Sequence, residues 1–204
     1  MTRAVLAFDG SGIDGSWFTS VTDFARHTPS LNGAAEVWTD YGLGVFAVLM
    51  AAGWWSARRS GARAMAVALA APVCVLVAFA VTEVVKSGVG ELRPCRSMPH
   101  AFIVETCPPA GDYAFPSGHA TVAAATVGAL FLLDRRLSAV AAAFAVVEAA
   151  SRVYVGAHYP HDVAVSLVIG FVVALLASAA ARRLGTPVVT GLRTGRLRPL
   201  LAAG

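Results

Sequence analysis

Residues 64–85 read AMAVALAAPVCVLVAFAVTEVV, with Glu83 as the single ionisable side chain apart from Cys74. A bilayer hydrocarbon core about 30 Å thick is crossed by a helix of about 20 apolar residues. A run of this length and purity predicts a membrane-spanning helix. Pro72 does not argue against it, because neighbouring helices can satisfy the carbonyl it frees. Working outward, four more segments come close to the same pattern: 41–57, 118–133, 137–153 with Glu148 inside it, and 162–181. The whole chain is 57% hydrophobic and 14% charged, where a soluble domain carries about 25% charged residues. The expected fold is all-α: an integral membrane bundle of about five transmembrane helices plus an N-terminal amphipathic interfacial helix.

No polar linker, repeat or low-complexity stretch divides the 204 residues, so one domain is expected. Within it, 1–40 reads as an interfacial segment, 41–185 as the bundle and 186–204 as a cytoplasmic tail. The opening MTRAVLAFDG has no long apolar core and no small-residue cleavage site, so no removable signal peptide is expected. The net charge of +4 comes largely from fifteen arginines, most of them in short clusters: Arg58, Arg59 and Arg63; Arg135 and Arg136; Arg182 and Arg183; Arg193, Arg196 and Arg198. These clusters follow the first, third and fifth predicted spans. That is the signature of cytoplasmic loops, not of a basic groove for nucleic acid. It puts the amino terminus and the loops 86–117 and 154–161 on the outer face. The expected location is a bacterial plasma membrane, multi-pass, with the chemistry on the extracytoplasmic side.

Within 1–40, Ile13, Trp17, Val21, Phe24 and Ala25 recur at helical spacing, which predicts an amphipathic helix at the interface. TPSLNG, 28–33, reads as a turn broken by Pro29, Asn32 and Gly33. Cys74 falls mid-span and reads as core. Cys95 and Cys107 share one outer loop, an oxidising location where a disulfide is expected.

Three short stretches share the outer face: KSGVGELRP (86–94), PSGH (116–119) and SRVYVGAHYPHD (151–162). Lys86 is the chain's lone lysine. As an isolated residue it is a snorkelling cation; with Arg93 across a glycine-bearing turn it makes a site for an oxyanion. Ser117 reads as the N-cap of the third span. The same helix start exposes unpaired N–H groups and the positive dipole end, which suit phosphate, and Gly118 allows close approach. His119 follows one step inside. His158 and Asp162 are four apart, so a helical path lets the carboxylate hold one imidazole nitrogen and leave the other as a nucleophile. His161, at a spacing that turns it elsewhere, reads as interfacial. Glu148 precedes Arg152 by four and Glu83 precedes Lys86 by three, and ion pairs that neutralise the site's cations, or that serve structure alone, are expected for both. Together these residues form an inventory for phosphoryl transfer through histidine.

At these positions the sequence resembles the type 2 phosphatidic acid phosphatase superfamily. That pattern is a lysine, six residues, Arg-Pro; then Pro-Ser-Gly-His; then Ser-Arg, five residues, His, three residues, Asp. Here it is met by Lys86, Arg93 and Pro94; by 116–119; and by Ser151, Arg152, His158 and Asp162. The resemblance implies that His158 is the nucleophile forming a phosphohistidine, Asp162 orients it and His119 is the general acid. It implies that Lys86, Arg93, Arg152, Ser117 and Gly118 hold the phosphate, and that neither metal nor cofactor is needed. HTPSLN (27–32) and WTDYGLGVFAV (38–48) are further similar to the bacterial undecaprenyl pyrophosphate phosphatases of the bacitracin-resistance type. The implied partners are a lipid phosphate substrate and the surrounding membrane lipids, with no nucleic acid. Alanine- and arginine-rich usage fits a high-GC bacterium, where the carrier lipid would be decaprenyl.

The leading expectation is a membrane lipid-phosphate phosphatase acting on a polyprenyl diphosphate or phosphate. Phosphatidylglycerol phosphate and phosphatidic acid are the alternative substrates. Three other classes compete with it. A vanadium-dependent haloperoxidase is opposed by the membrane spans. Metal-dependent hydrolysis would use His119, His158 and Asp162 as ligands and is opposed by the crowd of cations. A non-enzymatic transporter or scaffold is opposed by the intact set of catalytic residue types.

Overall fold

A computed structural model describes residues 8–195 and 198–202. Residues 1–7 of the opening stretch and Arg196 of the last arginine cluster lie outside the described residues. The helices are α1 (Ser11–His27), α2 (Pro29–Tyr41), α3 (Leu43–Ala57), α4 (Ala62–Val89), α5 (Pro94–Ser97), α6 (Gly118–Phe131), α7 (Arg135–Tyr154), α8 (Pro160–Leu192) and α9 (Arg198–Leu201). Among the described residues there is no strand, only an isolated bridge between Phe8 and Glu91. The chain is an all-α membrane bundle.

Three helices are long and apolar enough to cross a membrane: α4, α7 and α8. A fourth crossing is the pair α2 and α3, which meet at a 47° bend around Gly42. Pro29 does not break the chain in a turn, as 28–33 was read to do. It occupies the first turn of α2, where its missing N–H costs nothing and its fixed φ suits the helix. Only Thr28 separates α1 from α2, and Asn32 and Gly33 lie inside the helix.

The remaining expected span, 118–133, is the 14-residue α6, about 21 Å long at 1.5 Å per residue. That is shorter than a hydrocarbon core of about 30 Å, so α6 falls outside the three or four helices that meet the length for a span and is an apolar helix enclosed by them. Its apolarity serves packing: α4, α7 and α8 surround it, and Ala120, Ala123, Ala125 and Ala129 are fully buried. A Cβ on Gly128 would fall 2.3 Å from the Phe171 carbonyl oxygen, and one on Gly170 would fall 2.4 Å from that of Thr121. Two glycines, one on each helix, thus bring the α6 and α8 backbones into contact, the small-residue packing that membrane helices use in place of a hydrophobic driving force.

Helix α1 packs on α7 and α8 through Gly15, Phe18, Thr22 and Ala25, all buried. The apolar stripe read in the sequence points mainly the other way, with Ile13, Trp17 and Phe24 all more than half exposed. That outer face suits an interfacial location, with an aromatic side chain at headgroup depth. The disulfide Cys95–Cys107 forms, with Cα atoms 5.9 Å apart, and staples the loop between α5 and α6. Cys74 is a free, buried core residue.

Candidate active site

Helix α4 carries Lys86 in its last turn and ends on Gly90 at φ 67°. This left-handed residue suits glycine. It reverses the chain so that Arg93, just before α5, returns toward the bundle. Arg93 is buried, and its guanidinium is held from several sides. Nε and Nη2 donate to the Asp112 carbonyl and carboxylate at 3.2 and 2.9 Å, and Nη1 donates to the Ala157 carbonyl at 3.1 Å.

The start of α6 follows a cis Phe115–Pro116 bond. Ser117 caps the helix as read, accepting from the Ala120 N–H. Its own N–H donates to Ser166 Oγ at 2.7 Å, and Ser166 in turn donates to the Asp162 carbonyl at 2.6 Å. The cap of α6 is therefore tied to the first turn of α8. Ser117 is fully buried, while Gly118 and His119 open onto a cavity.

Between α7 and α8 the chain turns at Gly156, φ 82°. His158 sits in this turn, 2% exposed. Its Nδ1 lies 3.4 Å from Asp162 Oδ2, and its Nε2 lies 3.0 Å from Arg93 Nη1. An arginine only donates, so Nε2 offers a lone pair and Nδ1 carries the proton toward the carboxylate. Burial holds the His158 imidazole well below its ordinary pKa, and Arg93, Arg152 and Lys86 push it the same way. Asp162 is fully buried, and its Oδ2 also accepts the Tyr159 N–H at 2.8 Å. One carboxylate oxygen thus starts α8 and faces the His158 ring.

A cavity of about 360 Å³ collects Lys86, Arg93, Gly118, His119, Arg152 and His158, with Leu43, Phe79 and Val122 as an apolar flank. The structure brings six of the eight expected site residues to this one wall. Ser117 and Asp162 sit behind it, the first as a helix cap and the second against His158. Each cation faces a carboxylate. Lys86 lies 3.1 Å from Glu83, Arg93 pairs with Asp112, and Arg152 takes Glu105 in a two-pronged pair at 2.8 and 2.9 Å. A phosphate entering here competes with acceptors already bound.

The Glu83–Lys86 pair forms as expected, but the Glu148–Arg152 pair does not. Arg152 turns to Glu105, which accepts a charge-assisted hydrogen bond from Nη2 and lies within ion-pair distance of Nη1. Glu148 is fully buried with neither oxygen hydrogen-bonded. His161 is not a simple interfacial residue either. It is partly buried, its Nδ1 is 2.8 Å from Asp14 and its Nε2 is 3.1 Å from Glu91. Asp14, Glu91, Glu105, Asp112 and Ser166 are the residues the sequence reading passed over. Only Ser166 had a local signal, lying four residues after Asp162 on the same face of α8. The others reach the site through loops or through α1, where spacing carries no information.

Residues 64–185 match the PAP2 superfamily, a span that contains all eight of the expected site residues. Undecaprenyl-diphosphatase BcrC of Bacillus subtilis is 25% identical over 163 residues, covering 78% of this chain and 79% of that protein. An undecaprenyl-diphosphatase of Sulfolobus acidocaldarius is 31% identical over 99 residues, 48% of this chain and 47% of that protein. No solved structure gives a significant match. With the family match covering more than half of the chain, and the cations and histidines converging on one cavity, the chain belongs to the PAP2 superfamily and is a membrane phosphatase.

Proposed function

We propose that this protein hydrolyses a polyprenyl diphosphate or phosphate at the extracytoplasmic face of a bacterial plasma membrane, through a phosphohistidine on His158. The observation that carries the mechanism is the His158 ring, with Nδ1 toward Asp162 and Nε2 on the cavity side beside Arg93. In the first step Nε2 attacks the terminal phosphorus and the bond to the leaving oxygen breaks, with His119 giving that oxygen a proton. In the second, water attacks the phosphorus, the P–Nε2 bond breaks to release inorganic phosphate and free His158, and His119 takes the proton that the water loses. Lys86, Arg93 and Arg152 stabilise the charge on the equatorial oxygens, and the start of α6 at Ser117 and Gly118 adds N–H donors. Asp162 balances the charge that develops on the His158 ring. No metal is assigned a role.

The isoprenoid preference is supported by the names of both relatives, each an undecaprenyl-diphosphatase. The outer location is supported by Arg58, Arg59 and Arg63, by Arg135 and Arg136, and by Arg182 and Arg183, which lie toward the ends of α4, α7 and α8 away from the site. The apolar flank of Leu43, Phe79 and Val122 beside the cations suits a substrate with a charged head and a hydrocarbon tail.

The test uses purified protein and a lipid panel: polyprenyl diphosphate, polyprenyl monophosphate, phosphatidylglycerol phosphate and phosphatidic acid. Fastest release from the isoprenoid diphosphate, in EDTA, is expected. His158→Ala abolishes release and also the acid-labile phosphoprotein trapped by rapid quench. Unchanged turnover in His158→Ala would remove the nucleophile assignment, and a preference for diacylglycerol tails would remove the substrate assignment.

A further inference from the structure

The mechanism above leaves one buried cluster without a use. His161, at the start of α8, sits between carboxylates from three parts of the chain. Asp14 of α1 accepts from its backbone N–H at 2.7 Å and lies 2.8 Å from Nδ1. Glu91, from the turn after α4, places its two oxygens 3.1 and 3.2 Å from Nε2. The other oxygen of Asp162, Oδ1, is 3.5 Å from the same Nε2 and has no hydrogen-bond partner. The ring is stacked between Tyr159, at 5.6 Å, and Phe115, at 6.0 Å.

Ionised carboxylates only accept hydrogen bonds. A ring with a carboxylate at each nitrogen therefore carries a proton on both, and so a positive charge. Glu91 and Asp162 are 1% and 0% exposed. Two buried carboxylates facing one point repel, and one of them would be driven to its neutral form unless a cation stood between them. Here that cation is His161. Asp162 uses its two oxygens for two purposes: Oδ2 faces His158 Nδ1, and Oδ1 faces His161 Nε2.

We infer that His161 is a positioning residue for the nucleophile: as a cation clamped by Asp14 and Glu91, it keeps Asp162 ionised and its Oδ2 aimed at His158. This rests on the proposed reaction. It also gives the N-terminal segment a part in catalysis. Asp14 lies at the one non-helical residue within α1, φ −146°, where the kink turns its carboxylate onto the start of α8. Phe8 pairs with the 90–92 segment, its oxygen accepting from the Leu92 N–H at 2.9 Å, and Gly10 packs against Glu91 so closely that a Cβ would fall 1.9 Å from Oε1. The opening segment thus presses Glu91 onto the His161 ring. The groups facing the imidazolium are Asp14 from α1, Glu91 from the turn and Asp162 from α8. Tyr159 shares the stack with its phenol, whose pKa burial raises to about 12 and which therefore stays neutral.

The experiment compares wild type, His158→Ala, His161→Gln and Asp14→Asn as purified protein, on the polyprenyl diphosphate of the panel. KM, kcat, EDTA sensitivity and melting temperature in detergent are measured for each. His161→Gln keeps a planar side chain in the stack but removes the charge. Its kcat is expected to fall about tenfold to 100-fold, the range for a mispositioned reacting group, with KM within about twofold because no phosphate contact is lost. Asp14→Asn keeps an acceptor for the His161 N–H and loses the clamp's charge, so a smaller fall in kcat at unchanged KM is expected. It serves as the reading if His161→Gln does not fold. Wild-type kcat in either folded variant, or a change in KM alone, would overturn the inference. So would activity lost in EDTA and restored by one divalent metal, which would put a metal ion where the proton is assigned. An inactive wild type or an active His158→Ala would instead overturn the proposed reaction.

Discussion

Asp162 offers the sharpest test of how the nucleophile is prepared, because asparagine and alanine remove different things from it. Asp162 Oδ2 accepts the Tyr159 N–H at 2.8 Å and faces His158 Nδ1 at 3.4 Å. In Asp162→Asn, an amide oxygen at the Oδ2 position can keep both contacts. Its NH2 then lies where Oδ1 was, beside the His161 ring, whose Nε2 proton remains held by Glu91 at 3.1 Å. Geometry and helix start survive, and only the negative charge is lost. Keeping the contact but losing the charge takes a hydrogen bond from about 1.5–3 to about 0.5–1.5 kcal/mol, a loss of about 1–1.5 kcal/mol. At about 1.36 kcal/mol per decade, that predicts a fall in kcat of about 5-fold to 13-fold. Asp162→Ala removes the acceptor too. It leaves Nδ1–H unpaired and the ring unheld, and is expected to cost about 10⁴ in kcat, the scale of removing a triad carboxylate. It also removes the helix-start bond, a stability cost of about 0.5–2 kcal/mol. Single-turnover kinetics with quench of the phosphoenzyme isolates the step, and thermal denaturation in detergent reads the cap. Equal activity of Asp162→Asn and wild type would refute the reasoning, since the carboxylate charge would then play no part. Equal loss in Asn and Ala would refute the claim that the amide keeps the ring aligned.

Two further outcomes follow from the site and the bundle. The His158 pKa lies below the usual imidazole value of about 6.5. The unfolded chain therefore takes up that proton first, so the stability this group contributes is complete above about pH 6.5 and is lost as pH falls toward the folded value. The acidic limb of kcat/KM from the nucleophile is accordingly expected below pH 6.5, measured on a substrate that does not titrate there; a limb centred at or above 6.5 would contradict a neutral, buried His158. Gly170→Ala puts a methyl 2.4 Å from the Thr121 carbonyl oxygen, which overpacks the α6–α8 contact at a cost of about 1–3 kcal/mol. It should lower the melting temperature and, by shifting α6, reduce kcat; an unchanged melting temperature would mean that the two backbones do not need their contact.

Much of the candidate site was legible because three of its spacings are local. Four residues along a helical path bring Asp162 to His158, three bring Glu83 to Lys86, and a serine before an apolar run caps it. Prediction failed where a partner came from elsewhere in the chain. Arg152 had a candidate four residues away in Glu148, yet Glu105, forty-seven residues away, takes it. His161 had an adjacent Asp162, yet Asp14 and Glu91 hold both of its nitrogens. The α6 segment read as one of the spans because composition alone does not distinguish burial in lipid from burial among helices. Residues 28–33 read as a turn because Pro29 ends one helix by the same property that starts the next.

Composition and periodicity determined the solvent of this protein and its helices, because each depends on a local or summed property of the chain. The stretch 64–85 is enough to place α4 in a bilayer. The tertiary structure alone decided which carboxylates meet Arg93, Arg152 and His161. Buried charges choose partners by distance and by the number of hydrogen bonds they can make. Those distances are set where α1, the disulfide-stapled loop and the starts of α6 and α8 converge on His158.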